Sequence, residues 1–312
     1  MEKKSEQMLN EMAATYSIVA IDREHGEMGA AVQSHFFNVG SAVPWAEPGV
    51  GVIATQSVVN RQFGKEGLAM LKGGGNAAQV LDALLLEDAG KDYRQVAVLD
   101  VHGNTAAHTG KGCVREAGHC TGADYSVQAN MMLRSTVWNA MEEAYRNASG
   151  KLSDRMLAAL TAAQQEGGDI RGKQSAGMVI VSTSSTGNTD QDLKLDIRVE
   201  DHPDPLKELA RLLQLHDGYH LLEQGDSAME ANNYPLAMKL YLQAREALGN
   251  NPEALYWHGI ALLSMKETEE GFAVLGPLFE KDKNWVELAL RLPESGLAQF
   301  DDTVLRRLKN FL

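Results

Sequence analysis

The sequence predicts an α+β chain, a four-layer αββα sandwich over residues 15–202 followed by a small all-α domain of repeated helices over 218–312. Two observations lead to the first part. Strand pairs alternate with helix pairs along the chain, and the strands of each pair are close enough to form hairpins. Hairpins interleaved with helix pairs build mainly antiparallel sheets stacked between helical layers, whereas single crossovers would build a parallel one. The third observation concerns the last part, where small and large residues recur at a fixed spacing of 34.

Residues 1–14 are polar with scattered methionines and read as a flexible or weakly helical extension, either a plain tail or a propeptide. The first hairpin follows: Thr15 to Asp22 alternates polar and apolar residues, His25-Gly26-Glu27 turns, and Gly29 to Ser34 returns. Phe36 to Trp45 reads as an irregular apolar segment, and Val50 to Ser57 as a strand buried on both faces. Helices are expected over 64–72 and 76–87, with Asn76 as an N-cap after a Gly73-Gly74-Gly75 turn. No Lys-Ser/Thr pair follows those glycines, so they are not a phosphate loop.

Arg94–Asp100 and Thr105–Thr109 form a second hairpin around His102-Gly103-Asn104. A strand over Asp124–Asn130 leads into helices over 135–147 and 153–166, and strands Gln174–Ser182 and Asp192–Val199 close the region. Residues 203–217 read as a linker helix opened by Asp204-Pro205, an N-cap before a first-turn proline. Beyond it Gly225, Ala237, Tyr241 and Ala244 recur as Gly259, Gly271, Leu275 and Leu278, the tetratricopeptide helix-turn-helix pattern. Closing helices are expected over Trp285–Leu292 and Asp302–Phe311. Two repeats are fewer than such stacks need, so this part is expected to lean on the first domain, a protein partner or a second subunit, and a homo-oligomer is expected.

Composition excludes several functions. A net charge of −13 argues against nucleic acid, whose affinity comes from clustered Lys and Arg. No apolar run reaches the length of a membrane span, and Met1 to Gln7 lacks the apolar core of a secretory signal. With only two cysteines, Cys113 and Cys120, a disulfide framework is not expected and a cytoplasmic location is.

Thr15-Tyr-Ser-Ile-Val-Ala20, Gly51-Val-Ile-Ala-Thr-Gln56, Arg94-Gln-Val-Ala-Val, Ala107-His-Thr-Gly110, Ser126-Val-Gln-Ala-Asn-Met131 and Gly167 to Ala176 occur in one order. In these motifs residues 13–202 resemble an uncharacterised bacterial and archaeal family, domain of unknown function 1028, which is assigned to the Ntn-hydrolase-like fold. That resemblance implies the fold, and by superfamily analogy an N-terminal nucleophile. Members commonly place this first-strand Thr directly after Met; the present chain carries an extension instead.

Thr15 is the candidate nucleophile, because a chain beginning there would supply its own α-amine as general base. The alternative is that Thr15 and Ser17 are ordinary strand residues on one face. No lysine lies between Lys4 and Lys65, so help for a Thr15 reaction must come from elsewhere. Gln56 and Asn130, each at a strand end, carry amides able to stabilise an oxyanion. Gly167 to Ser175 gathers an acid, a guanidinium, an ammonium, an amide and a hydroxyl on one glycine-rich loop. There Arg171 would fork onto a substrate carboxylate, Asp169 would orient it or the Thr15 amine, and Gln174 and Ser175 would complete the substrate site. A helix C-cap with a surface ion pair is the plainer reading. His102, His108, Cys113, His119 and Cys120 fit no common zinc spacing, so neither metal nor other cofactor is expected.

Two functions remain open at this point. One is an amide-bond hydrolase acting on a small amide or peptide-like compound with a carboxylate. The other is a non-catalytic ligand-binding scaffold whose helical repeats dock a protein.

Overall fold

The computed structural model describes residues 12–13, 15–249 and 251–312. The chain divides into two compact units, Met1–Ala210 and Arg211–Leu312. The expected extension 1–14 lies outside the described residues, apart from Met12–Ala13. These two residues are neither helix nor tail but a short strand, β1.

In the first unit, β2 (Thr15–Asp22) and β3 (Glu27–Ser34) form the expected hairpin. With β8 (Gly118–Gly122), β9 (Tyr125–Asn130), β10 (Ser175–Ser182) and β11 (Leu193–Val199) they make a sheet in the order β11-β10-β3-β2-β9-β8. A second sheet is built from β1, β4 (Pro44–Glu47), β5 (Gly51–Val58), β6 (Arg94–Asp100) and β7 (Thr105–Thr109). The strands of both sheets pair antiparallel. One face of each sheet is turned to the other, and Val19, Val32 and Met28 share an apolar core with Val52, Ala54, Ala97 and Leu99.

The outward face of the second sheet, through Ile53, Val96 and Val98, packs on α1 (Arg61–Lys72) and α2 (Ala77–Leu86). Gly67 makes that approach possible: a Cβ there would sit 2.3 Å from the Ile53 side chain. Helices α3 (Val137–Asn147) and α4 (Leu152–Gln165) pack on the other sheet, α4 against β2 and β3 and α3 against β8 and β9. Asn76 caps α2 through a reciprocal box with Gln79, as its place before the apolar run predicts. Every residue of β2 is buried, so the strand is covered on both faces. Burying Ile18 alone stabilises the fold by about 1.5–3 kcal/mol.

Besides β1, two strands are absent from the sequence reading. β4 begins at the end of the expected irregular segment, which holds over residues 36–43; it is an edge strand beginning with Pro44, a place where proline's missing N–H costs nothing. β8 is a short edge strand of Gly, His, Cys and Thr, a composition with little β-forming signal.

The first unit also holds the short helix α5 (Thr189–Asp192), and in the second unit lie most of α6 (Pro205–Glu230), then α7 (Tyr234–Leu248), α8 (Pro252–Ser264), α9 (Thr268–Lys281), α10 (Asn284–Ser295) and α11 (Asp302–Lys309). α6 is one continuous helix where the sequence predicts a linker helix ending at 217; Gly218 and Gly225 sit inside it without breaking it. A Cβ on Gly225 would meet the Tyr241 ring at 2.8 Å, and one on Gly259 would meet Leu275 at 2.4 Å. The residues that match at spacing 34 thus make matching contacts in successive helix pairs. Among the described residues no helix is long and apolar enough to cross a membrane.

Candidate functional site

The register of the first unit lines up its polar strand residues. Thr15 lies opposite Asn130 on β9 and Ser34 on β3, and Ser34 lies opposite Ser175 on β10. Directly opposed residues of antiparallel strands share a face, so Asn130, Thr15, Ser34 and Ser175 form one transverse row. In the second sheet Gln56 lies opposite Gln95, and Gln95 opposite Thr109. All of these are buried except half-buried Thr109.

The rows are joined by hydrogen bonds from sheet to sheet. Ser17 Oγ donates to Gln56 Oε1 at 2.7 Å and accepts from Gln128 Nε2 at 2.6 Å. Gln56 Nε2 and Asn130 Nδ2 both donate to Gln95 Oε1, at 2.8 and 3.0 Å. The same two amides also approach the Thr15 carbonyl oxygen, at 3.3 and 3.4 Å. Thr15 Oγ1 meets Ser34 Oγ at 3.2 Å. Gln95 Nε2 donates to Thr109 Oγ1 at 2.8 Å and lies near the carbonyls of Ala129 and Gly118 at 2.9 and 3.1 Å.

Thr109 Oγ1 also hydrogen-bonds with His119 Nδ1 at 2.8 Å. Burial, with the Coulombic effect of His108 adding to it, pulls the His119 pKa below the usual histidine value. A polar cluster of this size inside an otherwise apolar layer is tolerable only because its members satisfy one another.

The expected site residues fall into separate groups. Thr15, Ser17, Gln56 and Asn130 share the buried cluster. Asp169 and Arg171 are engaged with each other: Asp169 accepts from Arg171 Nη2 at 2.9 Å and Nε at 3.2 Å, from the Arg171 amide at 2.9 Å, and from the His35 amide at 2.9 Å. The last bond ties the loop to the residue after Ser34. Ser175 Oγ receives the Val39 amide at 3.0 Å and donates to the Phe36 carbonyl. Gln174 turns to Asp201 at 3.2 Å, away from the cluster.

Tyr16, on the opposite face of β2, donates to Gln33 and, at 3.0 Å, to Gln164. Burial, with Asp169 and Asp204 adding to it, raises its phenol well above the usual value, so it is a fixed donor rather than a base.

Several members of the cluster escape the sequence reading: Ser34, Gln95, Gln128, Thr109 and His119. A signal for some of them exists, since Ser126, Gln128 and Asn130 alternate with Val127 and Ala129 and so mark one polar face of β9. Beside the cluster, Ser57, which follows Gln56 in β5, is buried and left-handed at φ 70°. Such a conformation in a non-glycine residue is costly and concentrates at functional sites.

The cysteines are placed apart from this chemistry. Burial raises the Cys113 thiol, and burial together with Glu142 raises that of Cys120 to about 11, so both are protonated at neutral pH. Cys120 points to Asn139 at 3.3 Å while neighbouring His119 faces Thr109. Among the described residues no group of three or more His, Cys, Asp or Glu side chains is arranged to hold a metal ion.

These features belong to a family defined by sequence. Residues 15–209 match the family of unknown function DUF1028, and the chain belongs to that family. The crystal structure of a protein from Silicibacter pomeroyi, titled with the same family, is 31% identical and superposes with a TM-score of 0.58. The match covers 64% of this chain and 88% of that one. No curated protein matches the sequence.

Proposed function

We propose that the DUF1028 region is an amide hydrolase of the N-terminal-nucleophile type, its two sheets and helix pairs being the αββα sandwich of that superfamily. Thr15 is the nucleophile. The observation that carries this reading is the convergence of the Gln56 and Asn130 amides on Thr15, at the head of a strand in a buried polar row. Removal of residues 1–14 would turn the Thr15 nitrogen into an α-amine with a pKa near ~8, partly unprotonated at neutral pH and adjacent to the hydroxyl. The amine takes the hydroxyl proton as Oγ1 attacks a substrate carbonyl and gives it to the substrate nitrogen as the C–N bond breaks; water, deprotonated by the same amine, then cleaves the resulting Thr15 ester, releasing the acid and restoring the hydroxyl. Gln56 and Asn130 supply donors for the oxyanion. The substrate is a small amide or peptide-like compound bearing a carboxylate.

A second reading has its own support. Met12 and Ala13 are hydrogen-bonded as a strand to Val58 and Ser57, so in this chain the Thr15 nitrogen is an internal amide. On that basis the domain would be a ligand-binding scaffold. The helical unit, with its repeated glycine contacts, is read as two tetratricopeptide-like repeats that dock a protein partner or a second copy of the chain. Free Cys113 and Cys120 fit a cytoplasmic home.

The test compares the full chain with one trimmed to begin at Thr15, assayed for amine release from amino-acid amides and small peptides. Activity gained on trimming and abolished by Thr15→Ala supports the hydrolase. Equal activity before and after trimming, or activity that survives Thr15→Ala, rejects it.

A further inference from the structure

We infer that Arg61, in a cavity over the end of the polar row, is the anchor for the carboxylate of a small, partly apolar acid. A cavity of about 350 Å³ is lined by Phe36, Ala42, Val59, Arg61, Gln62 and Arg94, among others. Its walls continue directly from the polar row. Phe36 lies two residues past Ser34, Val59 three past Gln56, and Arg94 immediately precedes Gln95. At about 3.4 Å per strand residue, the cavity begins within roughly one or two residues of the Thr15 end of the sheets.

The two arginines of the cavity differ. Arg94 is locked: its Nε and Nη2 hold Asp88 at 2.8 and 3.4 Å, and its Nη1 donates to the Val58 carbonyl at 2.6 Å. Burial opposes ionisation of Asp88, but the Arg94 side chain and the Gly90 amide outweigh it and lower the pKa, so this pair stays charged and mutually neutralised. Arg61 is exposed, makes one 3.3 Å hydrogen bond to the Ser41 carbonyl, and forms no ion pair among the described residues. No Asp or Glu lines this cavity, so the charge of Arg61 is uncompensated there. Phe36, Ala42 and Val59 supply apolar walls, and Gln62 a neutral amide. One accessible guanidinium beside apolar walls matches a monoanionic carboxylate with a hydrocarbon body.

The competing locations are less suited. Arg171 is committed to Asp169 through two side-chain contacts of 2.9 and 3.2 Å. A cavity of about 590 Å³ beside β4 and β11 is lined by Glu47, Asp192 and Asp196, and its Arg198 pairs with Asp196 at 2.8 Å. That cavity repels anions.

As an account of substrate recognition this rests on the hydrolase reading; as an anion site it stands alone. The test is titration calorimetry of the full chain with phenylacetate and with its neutral isostere phenylacetamide. Phenylacetate is expected to bind, with phenylacetamide and the Arg61→Gln variant each weaker by more than about tenfold, since a hydrogen-bonded charge is lost. Arg171→Gln is expected to bind phenylacetate as the parent does. Circular dichroism confirms that the variants, both at partly or fully exposed positions, are folded. The inference is overturned if phenylacetate does not bind, if the amide binds equally well, or if Arg61→Gln leaves affinity unchanged.

The two proposals fail separately. Arg61-dependent binding without amine release from the trimmed chain sinks the hydrolase and leaves the anion site standing. Thr15-dependent hydrolysis of a carboxylate-bearing amide whose KM ignores Arg61→Gln does the reverse.

Discussion

Gln95 is the node of the buried cluster, and replacing it by leucine is the sharpest structural perturbation available. Its Oε1 receives Gln56 and Asn130, and its Nε2 serves Thr109 and the Ala129 carbonyl. Leucine is close in size and leaves little cavity, so the cost is that of stranded polar groups. Gln56 and Asn130 each fall back on contacts of 3.3–3.4 Å to the Thr15 carbonyl. Stranding a buried donor costs about 1–3 kcal/mol, so two of them give a loss of roughly 2–6 kcal/mol. Because the chain holds two compact units, a single unfolding transition is a poor readout. Amide hydrogen exchange of β2 and β9 reports on the first unit alone. A loss of about 3 kcal/mol speeds exchange there by roughly a hundredfold, each 1.4 kcal/mol being tenfold. Acceleration below about threefold would refute the claim that the cluster is held together through Gln95.

Three further expectations follow from particular contacts. Asp169→Ala removes the acceptor of the His35 amide and an ion pair with Arg171 and should lower the stability of the first unit by about 1–3 kcal/mol in the same exchange measurement. Gly259→Ala, whose Cβ would meet Leu275 at 2.4 Å, should destabilise the helical unit by about 1–3 kcal/mol, read from exchange in α8 and α9. Burial, and then the charge of Arg245, depresses His258 to about 4, below an unfolded value near ~6.5. The unfolded chain therefore binds the extra proton first, and the helical unit should lose stability as pH falls from about 6.5 towards about 4; a His258→Asn variant should lack that slope.

Period-two patterning made the strand pairs legible, and helix caps such as Asn76 made the helix starts legible, because both are local. The extent of the cluster was not. Thr15, Gln56 and Asn130 stand out singly as polar residues at strand ends, but Ser34 joins them through the register of the first hairpin and Gln95 only through register between strands distant in sequence. The 167–175 loop is the opposite case, since it is local. Its residue types suit a site, yet Asp169 closes a turn onto the amide of Gly172 at 2.9 Å, and that turn folds Arg171 back onto the carboxylate. Arg61 carries no sequence signal, since an arginine at the start of a helix is common; its role depends on a cavity that only three converging segments create.

The central claim is that Thr15 attacks carbonyl carbon. Its most direct measurement is the mass of the chain trimmed to begin at Thr15 after exposure to a β-lactone, an electrophile that acylates an activated hydroxyl. The account expects one adduct per chain, mapping to the peptide that begins at Thr15 and absent from Thr15→Ala and from the untrimmed chain. An adduct on Ser17, Ser57 or a cysteine, or the same labelling with and without residues 1–14, would contradict it.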